Sequence, residues 1–247
     1  MRPALDMLQA LPMLKALPAA NLSVLAEKSA IESRPKGTVI QEQDDHPSCF
    51  YYLIEGAIEC SATVFDVERC LKFIYAGEFF PLNAVVLNDV TVSSYVALSE
   101  CIVLRLPARL IREFLVNTPQ FAFAALQESA NYCRDLICEK QGSHIRNGAD
   151  RLAAWLTAEA RRRNATSGIE ILLPKGKIAD LLGFAPEMLS RYLILLKDSG
   201  VSSTHNTIRV DNLDRLEAFL EVQGRADKWL PAHAERPKPF GRLRTAR

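Results

Sequence analysis

The segment KIADLLGFAPEMLSRYLILLKDSGV, residues 177–201, decides the fold of the C-terminal part of the chain. Its apolar residues recur at helical spacing on both sides of Gly183, a residue that permits a tight turn. The first helix is predicted from Lys177 to Leu182. Pro186 suits the first turn of the second helix, where a missing backbone N–H is no loss, and leucines spaced three and four apart follow it. The pattern predicts a helix-turn-helix, and an ordinary helical hairpin is the alternative.

The outer face of the second helix is polar, which favours contact with DNA. Glu187, Ser190 and Arg191 point away from the leucines. An arginine can bind guanine in bidentate fashion, a glutamate can accept from cytosine N4, and a serine can contact a base or a phosphate. The following VSSTHNTIRV, residues 201–210, predicts two short strands around a His205–Asn206 turn, which would form a wing. The candidate DNA-binding residues are Lys177, Glu187, Ser190, Arg191 and Lys197.

Composition places the chain among ordinary globular proteins with a basic C-terminal part. It has 247 residues, of which 49% are hydrophobic and 24% charged, and this excludes disordered, collagen-like and disulfide-scaffold proteins. No apolar stretch approaches the ~18–20 residues that span a bilayer, so we expect a cytoplasmic protein without a membrane partner. The net charge is −4 over residues 1–149 (13 basic, 17 acidic) and +5 over 150–247 (17 basic, 12 acidic). The second part therefore suits an anionic partner.

The predicted secondary structure changes twice along the chain. Residues 7–29 predict one or two short helices. Residues 31–106 hold short β-rich runs broken by turn signals, which is typical of an antiparallel barrel or sandwich. After Pro107 the pattern is helical to about 163, and from 150 to 223 we expect three helical segments followed by the small β element.

An apolar stripe follows the long helix that the central pattern predicts. Phe123, Leu126, Ala130, Cys133 and Ile137 are separated by steps of three and four residues, which makes a heptad-like seam. A long apolar stripe between two domains needs a partner, so these residues favour a homodimer. Packing of the helix on its own barrel is the alternative.

The order of β-rich region, long helix and winged helix-turn-helix resembles the CRP/FNR family of bacterial transcription regulators, over residues 10–222. Glu187-Met188-Leu189-Ser190-Arg191 is similar to the E-x-x-S-R of FNR-type recognition helices, which read TTGA-type half-sites. The resemblance implies an α+β fold and double-stranded DNA and a second copy as partners, with RNA polymerase added if the protein is an activator. It also implies a cyclic-nucleotide-binding-like antiparallel β-roll that senses an effector (1–118), a central dimerisation helix (119–147) and a winged helix-turn-helix domain (148–223). The prolines and the excess of basic over acidic residues at 224–247, 7 against 2, predict a mobile basic tail.

The resemblance extends to GEFFPLNAVVLNDVTVSSYVAL, residues 77–98, which is similar to the family's cyclic-nucleotide cassette. The family's ribose-binding Glu and phosphate-binding Arg-Ser pair correspond here to Leu82 and Val92-Ser93. Without the arginine a bound phosphate loses a charge-assisted contact, so we do not expect cyclic AMP. An apolar cleft with a few polar groups suits a small aromatic or organic acid, and Arg134 would bind its carboxylate if it faces the cleft. The candidate pocket residues are Tyr75, Phe79, Leu82, Val92, Ser93, Tyr95, Asn131, Arg134 and Cys138.

Other readings of the sensor region stay open. A haem that senses CO or NO would take its ligands from His46, His144, Cys49, Cys70 or the N-terminus. Redox sensing would rest on Cys133 and Cys138, which lie too far around a helix for a disulfide. The six cysteines include no CxxC pair, so we expect neither a metal site nor a required cofactor.

Enzymatic activity finds no support among the motifs. The chain has no Gly-rich phosphate loop, no G-x-S-x-G and no H-E-x-x-H. We therefore predict a DNA-binding regulator and not an enzyme. A ligand-binding module without specific DNA contact is the competing class.

Overall fold

The computed structural model describes residues 3–145, 147–163, 165, 168–204 and 207–222, with side chains outside 139–145 and 222. The chain forms two compact units, one up to Tyr132 and one from Cys133. The predicted His205–Asn206 turn and the predicted tail at 224–247 lie outside the described residues.

The first unit is built on two antiparallel four-stranded sheets, in the orders β1-β8-β3-β6 and β2-β7-β4-β5. Long-range pairing dominates, since β1 lies beside β8 and β3 also pairs with β8. The strands are β1 (Ala30–Arg34), β2 (Val39–Gln41), β3 (Cys49–Glu55), β4 (Ala57–Val64), β5 (Val67–Tyr75), β6 (Phe79–Phe80), β7 (Ser94–Ala97) and β8 (Cys101–Pro107).

Alternation along β3 divides the apolar core of this unit in two. Tyr51 and Leu53 contribute to a cluster that includes Ile58 of the other sheet, whereas Phe50 and Tyr52 contribute to a second cluster with the helices. Successive side chains of a strand point to opposite faces, so the continuous apolar run of β3 is buried on both sides. The first-unit helices are α1 (Leu5–Ala10), α2 (Ala19–Lys28), α3 (Leu82–Leu87) and α4 (Ala108–Asn117), followed by the long α5 (Pro119–Ile145), which continues into the second unit.

The second unit combines helices with a small antiparallel sheet in the order β10-β11-β9. The side chain of Asn147 accepts from the backbone N–H of Asp150 at 3.0 Å and so caps the first of these helices. The elements are α6 (Gly148–Arg162), β9 (Ile169–Ile171), α7 (Lys175–Leu181), α8 (Pro186–Leu195), β10 (Val201–Ser203), β11 (Ile208–Val210) and α9 (Leu213–Val222).

Two elements of this unit differ from the sequence prediction. The sequence predicts three helical segments and then one β element, whereas the structure adds β9 before α7 and α9 after β11. Three residues are too few to show a β period, and β9 is held by pairing with β11 nearly 40 residues away. Helix α7 also begins at Lys175, two residues earlier than predicted, and ends before Leu182.

The arrangement confirms the predicted fold class, an antiparallel β region, a long helix and a C-terminal helix-turn-helix. In the part of the chain that the structure describes, no helix has both the length and the apolar character needed to cross a membrane.

Candidate functional site

Helices α7 and α8 present a polar surface that rests on a buried apolar face. Gly183 has φ +67° and makes the turn between them. Leu189 and Leu193 of α8 are buried, and Leu196, the residue after the helix, is buried too. Their burial leaves the other side of α8 open to solvent, where Glu187, Ser190 and Arg191 are all exposed.

The N-terminal end of α6 fixes the position of α8. The rings of Phe184 and Tyr192 meet edge to face at 5.0 Å, and the guanidinium of Arg151 lies 4.9 Å from the Phe184 ring centroid. A Cβ at Gly148 would lie 2.2 Å from Tyr192, so the first turn of α6 approaches this ring as only glycine allows. This packing fixes the orientation of α8 through contacts that do not include the polar side chains of its exposed face.

The two predicted lysines flank the helix-turn-helix. Lys177 on α7 is half-buried, and Lys197 in the turn after α8 is exposed. In the neighbouring wing, Arg209 of β11 pairs with Glu170 of β9 at 3.3 Å. A shallow cleft of about 300 Å³ lies along these two strands.

The apolar seam residues are solvent-exposed on α5. Phe123 is 61% exposed, Leu126 64% and Ile137 58%, and Ala130 and Cys133 are exposed as well. Large apolar side chains at heptad spacing on a helix are normally covered by another helix.

Within the first unit, the structure does not gather the predicted pocket residues into one place. Phe79 stacks on Phe50 at 5.1 Å and, with Leu82, packs in the cluster of the N-terminal helices. Tyr75 lies on the face of β5 opposite to Ile74, and Val92 is 63% exposed. Of the remaining candidates, Asn131 is exposed. In the second unit, Arg134 is exposed and Cys138 is half-buried.

Ser93 and Tyr95 are brought together, around a residue that the sequence analysis did not single out. Cys60 on β4 lies directly opposite Tyr95 on β7 and directly opposite Lys72 on β5. The side chains of Ser93 and Tyr95 both lie close to the Cys60 thiol. We call Tyr95, Cys60 and Lys72 the inner polar row, because Cys60 and Tyr95 belong to the cluster between the two sheets.

Two further groups contact the cationic end of the inner polar row. The Lys72 Nζ donates to Glu78 Oε2 at 3.3 Å and lies 4.7 Å from the ring centroid of Tyr132 on α5. Glu78 is buried and Tyr132 is half-exposed at 45%. The only sequence signal for Lys72 was its place two residues before Ile74 on an apolar strand, and a lysine there is ordinarily assigned to a solvated face.

Burial sets the protonation of the row. Desolvation raises the pKa of the Tyr95 phenol and of the Cys60 thiol. Both groups are therefore neutral hydrogen-bonding groups at neutral pH, and the Cys60 thiol is a poor nucleophile.

The candidate haem ligands differ in their exposure. His46 is exposed in the loop before β3, while Cys49 and Cys70 are buried. The Cys49 thiol accepts from Arg105 Nη1 at 3.4 Å. The side chain of His144 lies outside the described residues. Among the residues that the structure describes, histidine, cysteine and acidic side chains do not gather in groups of three or more that could hold a metal ion.

Two family models match the chain. The cyclic nucleotide-binding domain matches residues 31–118, which hold both sheets of the first unit and α4. The Crp-like helix-turn-helix domain matches residues 150–219, which hold α7, α8 and the wing. No curated protein matches the chain significantly.

Solved structures share this architecture at low sequence identity. FixK2 from Bradyrhizobium japonicum is 19% identical with a TM-score of 0.69, over 77% of this chain and 96% of that one. The c-di-GMP-responsive global regulator CLP from Xanthomonas campestris is 17% identical with a TM-score of 0.63, over 78% and 99%. A mutant of CooA from Carboxydothermus hydrogenoformans is 19% identical with a TM-score of 0.62, over 80% and 89%. These likenesses concern the fold.

Proposed function

The chain belongs to the Crp/Fnr family of transcription regulators, and on that premise we propose that it binds a TTGA-type palindromic site as a homodimer under the control of a small organic effector. Family and fold point to a DNA-binding regulator and not to an enzyme. The observation that carries the proposal is the exposed face of α8, whose polar residues lie on the opposite side of the helix from its buried leucines.

Each polar residue of α8 has a role in the proposed reading of DNA. Arg191 binds the guanine of the half-site in bidentate fashion, and Glu187 accepts from a cytosine N4. Ser190, whose hydroxyl donates to the Pro186 carbonyl at 3.4 Å, contacts a base or a phosphate. Lys177 and Lys197 hold the phosphate backbone, which fixes the register without reading sequence.

The apolar seam on α5 supplies the proposed dimer contact. A two-fold dimer places two copies of α8 one helical turn of DNA apart, which matches a palindromic site. The exposure of Phe123, Leu126 and Ile137 supports this pairing. If the regulator is an activator, RNA polymerase is its further partner.

Cyclic AMP does not suit the sensor region. Leu82 and Val92 stand where the resemblance places the family's ribose-binding Glu and phosphate-binding Arg. Leu82 packs in the apolar cluster of the N-terminal helices, and Val92 offers no charge to a phosphate. We therefore propose an aromatic or other small organic acid, with Ser93 and Tyr95 among its polar contacts.

The DNA-binding part of the proposal is tested by fluorescence anisotropy with a duplex that carries inverted TTGA half-sites one helical turn apart. We expect Arg191→Ala to weaken binding by ~1–3 kcal/mol and to relax discrimination at the guanine, since this arginine makes the base contact. Binding of the native chain is expected to fall steeply with salt.

Arg215→Ala is the matched control, because it removes the same charge from an exposed position on α9. It should keep the preference for the TTGA duplex over a scrambled one. Unchanged affinity and specificity in Arg191→Ala would contradict the assignment of α8 as the reading helix.

A further inference from the structure

We propose that Lys72 binds the carboxylate of an aromatic monocarboxylate effector, and that its contact with Tyr132 passes this binding on to α5. The proposal rests on the proposed function, since it concerns the sensor region of the same regulator. It assigns the anion-binding role to a strand residue that the cassette resemblance does not include.

The strand register places Lys72 beside the polar groups of the inner polar row. Cys60 lies directly opposite Lys72 on one side and Tyr95 on the other, so the three side chains share one face of the sheet. Cys60 and Tyr95 lie in the core between the sheets. The side chain of Lys72 is 28% exposed, so it begins at this core and still reaches solvent.

The charge balance leaves Lys72 able to take an anion. Its ammonium has three N–H donors, and the buried Glu78 accepts one of them at 3.3 Å. Burying a lone ammonium is costly, and the Glu78 carboxylate offsets this cost without an effector. A carboxylate that approaches from the exposed side would meet a partly desolvated donor, where charge-assisted hydrogen bonds are strongest.

The surroundings select an aromatic body with a single charge. The ring of Tyr95 stacks on Phe80 at 5.1 Å, and Phe80 stacks on Tyr51 at 5.3 Å. Ser93, Cys60 and Tyr95 are neutral hydrogen-bonding groups, so they offer polar contacts and no second cation. A second acidic group on the effector would face Glu78.

Tyr132 connects this group to α5. Its ring faces the Lys72 ammonium at 4.7 Å, a cation–π contact between the sheet and the helix. An ammonium that is also paired with an effector carboxylate attracts the ring less. Effector binding therefore weakens the hold of the sheet on α5, and the ligand shifts the population of the helix by this difference in contact free energy.

The anion assignment is tested by isothermal calorimetry on the full chain, with acids paired to their neutral amides. The probes are benzoate with benzamide, phenylacetate with phenylacetamide, and indole-3-acetate with indole-3-acetamide. We expect at least one acid to bind tenfold or more tightly than its amide. Lys72→Met should abolish this difference and Lys72→Arg should retain it, while Lys36→Met, which removes an exposed lysine, should leave it unchanged.

Three results would overturn the anion assignment: no acid binds more tightly than its amide, Lys72→Met keeps the difference, or Lys36→Met abolishes it. The acid–amide comparison in the native chain needs no variant, so a lack of acid preference overturns the assignment even if Lys72→Met fails to fold. Calorimetry needs no DNA, so loss of specific DNA binding would end the proposed function and leave the Lys72 result standing.

The link to α5 is tested with Tyr132→Leu and Tyr132→Phe, using the acid that binds. Tyr132→Leu should bind the acid within threefold of the native chain, yet its affinity for the TTGA duplex should no longer respond to the acid. Tyr132→Phe keeps the ring and should respond like the native chain. A full response in Tyr132→Leu would overturn the link.

Discussion

The helix-turn-helix and the inner polar row are the two proposed sites of this chain, and their residues are separated by very different distances along the sequence. The candidate DNA-binding residues come from one continuous segment, which runs from α7 through α8 to the turn after it. The inner polar row is assembled from three strands, with Cys60 separated by 12 residues from Lys72 and by 35 from Tyr95. A site on one helix follows from local patterning, whereas a site on a sheet depends on register.

The largest effect on stability should come from core substitutions made separately in each of the two units. We expect Phe50→Ala to lower the free energy of unfolding of the first unit by about 3–5 kcal/mol, because this ring is fully buried. Leu193→Ala should lower that of the second unit by about 2–5 kcal/mol. Trp155 lies on α6 of the second unit, so its fluorescence reports that unit, while tyrosine fluorescence mainly follows the first.

If the units are independent, each variant shifts its own transition in urea and leaves the other in place. Equal shifts of both signals in both variants would show a single cooperative unit, and the contrast between the two regions would not extend to stability.

A second experiment concerns α5, the helix common to both units. Ile137→Asp should raise the dissociation constant of the dimer a hundredfold or more, about 2.7 kcal/mol, because it buries an unpaired carboxylate in the apolar seam. Light scattering over a dilution series measures this change. Ile137→Val is the matched control and should remain dimeric. An unchanged dissociation constant in Ile137→Asp would show that the apolar seam is not the dimer contact.

The smallest effect should come from removing one of the buried tyrosines that make the first unit lose stability at alkaline pH. Burial raises the pKa of Tyr51 from its ordinary value of 10 to about 12, and burial also raises the pKa of Tyr52 and Tyr95. In the unfolded chain these phenols ionise near pH 10, so their contribution to stability is complete below that pH. It is lost as the pH rises toward 12, by up to about 1.4 kcal/mol per pH unit for each tyrosine.

Tyr51→Phe tests this dependence through urea unfolding at about pH 9 and about pH 11. The variant should lose less stability between the two values than the native chain does, since one of its titrating groups has gone. Parallel losses would mean that Tyr51 does not contribute.

Local signals account for what could be predicted from the sequence. Pro186 marks the start of α8, and the leucine spacing identifies its buried face, so the exposure of Glu187, Ser190 and Arg191 was predictable. The short β-rich runs of residues 31–106 and the long helix were predictable in the same way. The fold class followed from them.

Pairing explains what could not be predicted. The expected pocket combined Phe79 and Leu82 with Tyr95 from a cassette resemblance, but the structure divides them between two apolar clusters. Lys72 was overlooked because its neighbours across the strands depend on the irregularity in β4–β5 pairing between Cys60 and Ser61. A one-residue difference in register reverses the face of every following side chain, and the sequence alone does not place such a bulge.

The register of the inner polar row also has a consequence for inheritance. Its members are neighbours in space, yet any exchange of gene segments with a crossover between codons 60 and 95 would separate them. A hybrid that kept Cys60 and Tyr95 but received a different residue at position 72 would lose a direct cross-strand neighbour. Effector preference in such a sensor would therefore pass between lineages as one block of the gene, while the helix-turn-helix could be exchanged separately.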